Sequence, residues 1–106
     1  MSRYRVWIED AARAEFERLP GNMRQRVKRA IGDLAEDPRP HSSRVLTAPA
    51  DTPLELRRIR IDPFRIVYAV DEQEQGVGVF AIRRRPPYDY DDLARFVKGL
   101  AEDSDD

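Results

Sequence analysis

An α+β domain with the order strand, helix, helix, three strands, helix (βααβββα) follows from three observations on this 106-residue chain. Residues 3–9 alternate between polar and apolar, residues 23–34 carry an apolar stripe at helical spacing, and residues 54–83 hold three alternating segments divided by turn residues. Strands joined by such short links form an antiparallel meander, so the two helices are expected to make a hairpin packed on a small antiparallel sheet. A chain of this length forms one domain with a modest core. Residues 1–100 are assigned to it, and the closing 101–106 stretch, AEDSDD, is expected to be an acidic, disordered tail.

The first strand places Tyr4, Val6 and Ile8 on one face and Arg3, Arg5 and Glu9 on the other, with Trp7 breaking the polar face as an edge residue would. Asp10 is suited to cap a helix through about Leu19, in which Ala12, Phe16 and Leu19 share a side. Pro20-Gly21 stops it. A second helix, about Asn22 to Glu36, bears Met23, Val27, Ala30, Ile31 and Leu34 at the i, i+4, i+7, i+8, i+11 positions of a core-facing stripe. Residues 37–53 contain Pro38, Pro40, Pro49 and Pro53 and read as a long loop, with a brief ordered stretch at Val45-Leu46. Strands follow at about Leu54–Ile61, Phe64–Val70 and Val77–Arg83, linked by Asp62-Pro63 and by Asp71–Gly76. Leu54 and Leu56 share the parity of Arg58, which implies a bulge or an end of the sheet covered on both faces. After Pro86-Pro87, Asp89 or Asp91 starts a short helix with Leu93, Phe96, Val97 and Leu100 on one side.

Composition removes several functional classes. Charged residues are 37% and hydrophobic residues 41% of the chain, and no apolar run approaches the ~18 residues of a membrane span, so a soluble protein without membrane partners is expected. The opening MSRYRVWIED lacks the apolar segment of a signal peptide, and cysteine is absent, which fits a cytoplasmic, reducing location. With no cysteine and His41 the single histidine, a His/Cys metal site or a nucleophile–histidine relay has almost no material, so no metal or cofactor is expected. His41, between Pro40 and Ser42, reads as an exposed loop residue. The pair Asp91-Asp92 suits a helix N-terminus better than acid–base catalysis.

The net charge is −1, yet residues 1–53 and 54–88 each sum to +2 and residues 89–106 to −5. All but two of the 19 basic residues are arginine, whose planar fork suits phosphate, although coding bias also enriches arginine. Arg58 and Arg60 alternate with Ile59 and Ile61, and Arg65 lies opposite the Phe64, Ile66, Tyr68, Val70 set. If the isoleucines join that set under the helices, Arg58, Arg60 and Arg65 crowd one open face, and the next strand delivers Arg83, Arg84 and Arg85, with Tyr88 close behind. Like charges on adjacent strands repel, which points to an anionic ligand; pairing with Glu55, Asp71 or Glu72, or solvation, is the alternative.

Three segments together resemble the RelE/ParE superfamily of toxins from type II toxin–antitoxin systems: YRVWIEDAARAEFERLP, RRIRIDPFRIVYAV and IRRRPPYDYDDL. The middle one is similar to that family's Arg-x-Arg-x-Gly-Asp-Tyr-Arg-x-x-Tyr core, and the resemblance spans about residues 4–97. It implies a toxin held in check by a cognate antitoxin that alone brings it to operator DNA. In the RelE branch it further implies ribosome-dependent mRNA cleavage that blocks translation. Arg65, Arg84 and Tyr88 match catalytic positions, Arg58 and Arg60 match the basic pair of the preceding strand, and Arg83 and Arg85 extend the phosphate-binding set. Asp62-Pro63-Phe64 replaces Gly-Asp-Tyr, Arg83 stands where many relatives have histidine, and arginine replaces the lysines some members use as proton acceptors. Arginine stays protonated, so Tyr88 is the remaining proton-transfer candidate or a platform for a base, unless it simply packs beside Phe96. Two other readings share the fold and the antitoxin: a ParE-like toxin that inhibits DNA gyrase without catalysis, and a fold that only binds its partner.

Overall fold

The computed structural model describes residues 3–48, 51 and 53–84. Within them the chain runs β1 (Arg5–Ile8), α1 (Asp10–Glu17), α2 (Gly21–Asp33), β2 (Ser43–Val45), β3 (Glu55–Ile61), β4 (Phe64–Asp71) and β5 (Gly76–Arg84). The α+β class and the helix hairpin are as the periodicity predicts. The helix expected after Asp89, the 101–106 tail, Arg85 and Tyr88 lie outside the described residues.

Five strands form one sheet in the order β1-β5-β4-β3-β2. The β2 to β5 portion is antiparallel, as the short links require, but β1 joins the far edge parallel to β5, with Val6 opposite Val77 and Ile8 opposite Val79. The sheet is therefore mixed rather than wholly antiparallel. The helix hairpin is the crossover that makes the parallel pairing possible, since it carries the chain from one edge across the face. The brief ordered stretch in the proline-rich loop is β2, which pairs Ser43 with Ile59.

Two helix boundaries differ locally from expectation. Asp10 does not cap α1; Glu9 holds the cap position without a side-chain hydrogen bond to the helix, and Asp10 opens the first turn, where its charge suits the helix dipole. Pro20 takes the corresponding position for α2, a place where its fixed φ is tolerated and its carbonyl accepts the Arg24 N–H.

The apolar stripes of the helices meet one face of the sheet. Ala12, Leu19, Met23, Val27, Ile31 and Leu34 pack on Ile59, Ile61, Ile66, Tyr68, Val70, Val77, Val79 and Ile82, with Tyr4, Val6 and Ile8 at the margin. Tyr68 is completely buried there, and its hydroxyl donates to the Pro38 carbonyl at 2.8 Å, so burial is satisfied and raises its pKa.

A second cluster, Leu56, Val67, Ala69, Phe80 and Ala81, occupies the opposite face with Leu46, Ala48 and Leu54 against it. This explains the parity of Leu54 and Leu56: one end of that face is covered by Leu46, Ala48 and Leu54. A bulge contributes as well. Val67 pairs with Ala81 but Tyr68 pairs with Val79, leaving Phe80 as an extra residue in β5. Val77 and Val79 before it, and Ile82 after it, consequently all reach the helix side despite their different parity.

Candidate functional site

The register between β3, β4 and β5 decides where the arginines go. Arg60 pairs with Arg65, and Arg65 in turn with Arg83, so three guanidinium side chains originate from one row across adjacent strands. In the next row but one, Arg44 on β2 lies opposite Arg58 on β3. Because Ile59, Ile61 and Ile66 point under the helices, these arginines belong to the other face, as alternation predicts. Arg44 was missed by sequence reasoning because β2 lies inside a proline-rich loop; only its strand register reveals it.

Carboxylates at the margins offset part of this repulsion. Asp62 Oδ1, in the β3–β4 turn, accepts from Arg60 Nε at 3.1 Å and from Arg65 Nη1 at 3.2 Å. Arg65 also donates to the Phe64 carbonyl and is only 3% exposed, so it is not the open-face side chain that alternation suggests. Glu15 on α1 reaches past the end of β1 to the uncovered edge of β5: its carboxylate accepts the Ile82 backbone N–H at 3.0 Å and Arg83 Nε at 2.8 Å. Arg83 is thereby held at the sheet edge. Arg84 takes the other side of β5, with its guanidinium 5.8 Å from the centre of the Phe64 ring, a cation–π contact.

Arg58 is half-buried and has no ion pair or hydrogen bond from its side chain among the described residues; Arg44 binds only carbonyls, those of His41 and Ser43. Five arginines on this face thus share two carboxylates, Asp62 and Glu15. Their residual positive charge, beside a low-dielectric apolar cluster, suits an extended polyanion. The alternative of pairing these arginines with Glu55, Asp71 or Glu72 is not met among the described residues: Arg60 and Arg65 take Asp62, Arg57 and Arg39 take Glu55, and Arg39 and Tyr4 take Glu72. His41 is exposed in a turn, as expected of a loop histidine. No three of His, Asp or Glu gather among the described residues in a way that would cage a metal ion.

A family model described as "ParE toxin of type II toxin-antitoxin system, parDE" matches residues 6–86, which include both helices and every arginine of the row. The chain belongs to the RelE/ParE superfamily of type II toxins. Solved structures agree on the fold of this toxin. RelE in the archaeal RelE-RelB complex from Pyrococcus horikoshii superposes with a TM-score of 0.70 at 22% identity, covering 81% of the toxin and 99% of the relative. The toxin–antitoxin complex RelBE2 from Mycobacterium tuberculosis gives a TM-score of 0.65 at 23% identity, over 82% and 97% of the two chains. The isolated Escherichia coli RelE toxin gives 0.65 at 20% identity, over 89% and 98%. Comparison with curated proteins finds no match. Among the described residues no helix is long and apolar enough to cross a membrane.

Proposed function

We propose that the toxin is a RelE-like, ribosome-dependent mRNA endoribonuclease that blocks translation and is neutralised by a cognate antitoxin. The observation that carries this reading is the row Arg60–Arg65–Arg83 with Arg58 and Arg44 beside it, a set of directly opposed cations that a phosphodiester backbone would stabilise. The structural relatives include toxins in complex with RelB, which supports an antitoxin as the partner here.

In the proposed reaction the substrate's 2′-hydroxyl attacks the adjacent phosphorus and the bond from phosphorus to the 5′-oxygen breaks. The products are a 2′,3′-cyclic phosphate and a 5′-hydroxyl. One proton leaves the attacking oxygen and one joins the leaving oxygen. Arg58 and Arg60 hold the scissile phosphate and favour the more highly charged phosphorane, while Arg84, on the other side of β5, and Arg85 are assigned neighbouring phosphates. Arg65, buried on Asp62, acts by positioning: it fixes the carboxylate that aims Arg60. Arg83 enters the phosphate-binding set by exchanging Glu15 for an anion. Tyr88 is assigned proton transfer.

A ParE-like gyrase inhibitor is the second reading, favoured by the matching family model and by the intramolecular pairing of Arg65 and Arg83. Primer extension on ribosome-bound mRNA, run beside a gyrase supercoiling assay, separates the two. The nuclease reading expects cleavage that falls roughly 10²–10⁴-fold in Tyr88→Phe and by a comparable factor in an Arg58→Ala, Arg60→Ala double variant. Intact mRNA together with inhibited supercoiling would replace it with the second reading.

A further inference from the structure

β1 presents two side chains, Arg5 and Trp7, on the face that does not pack under the helices. Trp7 is the single tryptophan of the chain, and its ring lies on the β5 backbone over two glycines. A Cβ at Gly76 would come within 2.7 Å of Trp7 Cζ3, and one at Gly78 within 2.8 Å of Cε2 and Cζ2. Neither glycine has a positive φ, so the backbone does not require glycine here; the ring does. The indole N–H donates to Glu9 Oε1 at 2.8 Å, which fixes the ring's rotation and satisfies its polar edge.

Packing accounts for the inner face of the ring only. Trp7 remains 40% exposed, and Arg5, two residues away on the same face, is exposed and has no partner among the described residues. A flat aromatic surface of fixed orientation next to an unpaired guanidinium matches one repeating unit of a single nucleic-acid strand, a base to stack and a phosphate to pair. A duplex would keep its bases stacked on each other, and a simple cation would be repelled by Arg5. The position is also continuous with the arginine row. Gly78 lies under Trp7, and Arg83 follows five residues later on β5 with one residue taken up by the bulge, a separation of roughly 15 Å along the strand.

We propose that Trp7 and Arg5 form a subsite for one nucleotide of single-stranded RNA, with Trp7 stacking on the base and Arg5 pairing with its phosphate, a few nucleotides from the position cleaved. This rests on the nuclease reading and extends it to the opposite edge of the sheet. Because Trp7 is the only tryptophan, its emission reports the subsite directly.

The test titrates the purified full-length toxin with a short 2′-O-methylated oligoribonucleotide, which cannot be cut, following tryptophan emission and the anisotropy of an end label together. Saturable quenching of Trp7 that tracks binding is expected. Trp7→Leu should weaken binding about tenfold and Trp7→Phe much less. Arg5→Gln should weaken it several-fold and reduce the salt dependence by about one phosphate contact. Circular dichroism of each variant establishes that the sheet persists, and the wild-type quenching needs no variant. Binding of the oligonucleotide with unchanged emission and undiminished affinity in Trp7→Leu would overturn the subsite while leaving RNA binding intact. Absence of any binding by the wild type would overturn the subsite, while the nuclease reading itself stands or falls on the separate primer-extension assay with ribosome-bound mRNA.

Discussion

A carboxylate shared between two guanidinium groups is what allows Arg60 and Arg65 to sit directly opposite each other on neighbouring strands. Arg65 is buried while Asp62 is exposed, so removing Asp62 leaves a guanidinium out of water with the Phe64 carbonyl as its remaining acceptor among the described residues, and the bond ties the turn to the sheet. Trp7 and Gly78 show the same dependence of one residue on another through shape. Adding a methyl group at Gly78 forces the indole away from the backbone against its Glu9 hydrogen bond. Gly78→Ala is therefore expected to lower unfolding stability by about 1–3 kcal/mol, and most of that loss should disappear in a Trp7→Ala background, where the space is open. Denaturant midpoints of the two single variants and the double variant measure the coupling; additive losses would show that the ring does not need the glycines. Of these pairings the alternation of Arg58, Arg60 and Arg65 with the isoleucines was readable in sequence. Their partners were not, because Asp62 acts from a turn and Glu15 from a helix some 70 positions upstream in chain order, with |i−j| of 68 to Arg83.

Elements at the other end of the sheet are held by one connected set of charges. Arg39, in the segment after α2, bonds Glu55 at the start of β3 and Glu72 in the β4–β5 turn, and the Tyr4 hydroxyl, just before β1, donates to Glu72 at 2.5 Å. The Tyr4 and Arg39 hydrogen bonds hold the Glu72 carboxyl below the ordinary glutamate range. Partial burial opposes the same effect at Glu55, but the bonds from Arg57 and Arg39 outweigh it and its pKa is also lowered. For a carboxylate depressed in the folded state the stabilisation is present above the unfolded pKa and is lost as pH falls through the folded one. The denaturant midpoint of the wild type should accordingly fall as pH drops through and below the ordinary glutamate pKa of about 4.3, and a Glu55→Gln, Glu72→Gln double variant should start lower at neutral pH and fall less steeply. Parallel curves for the two proteins would remove these residues from the acid response. Such a clamp links segments distant in sequence, and so does the parallel β1–β5 pairing. Local periodicity located β1, the hairpin and the meander, but it carries no information on which edge β1 joins or on the bulge that sets Phe80 apart.

At the scale of the molecule, the charge of −1 is a sum over parts with opposite tendencies. Four of the 20 carboxylates fall within residues 102–106, and without them the remaining chain carries +3. Five arginines of that remainder rise from one sheet face and two carboxylates, Asp62 from a turn and Glu15 at the sheet edge, pair with three of them, so the field there is positive even though the whole is nearly neutral. Long-range attraction of a polyanion depends on the total charge at distances beyond the Debye length and on the local patch within it. Deleting residues 102–106 should therefore raise the association rate with single-stranded RNA by roughly tenfold or less at low ionic strength, and the gain should vanish near physiological salt, where the screening length falls to about 8 Å. Dissociation, which the proposed function assigns to contacts such as those of Arg58 and Arg60, should change little. Stopped-flow anisotropy over a salt series reads both rates. A gain that persists at high salt would mean that the terminal carboxylates compete directly for the arginines instead of acting through the overall field.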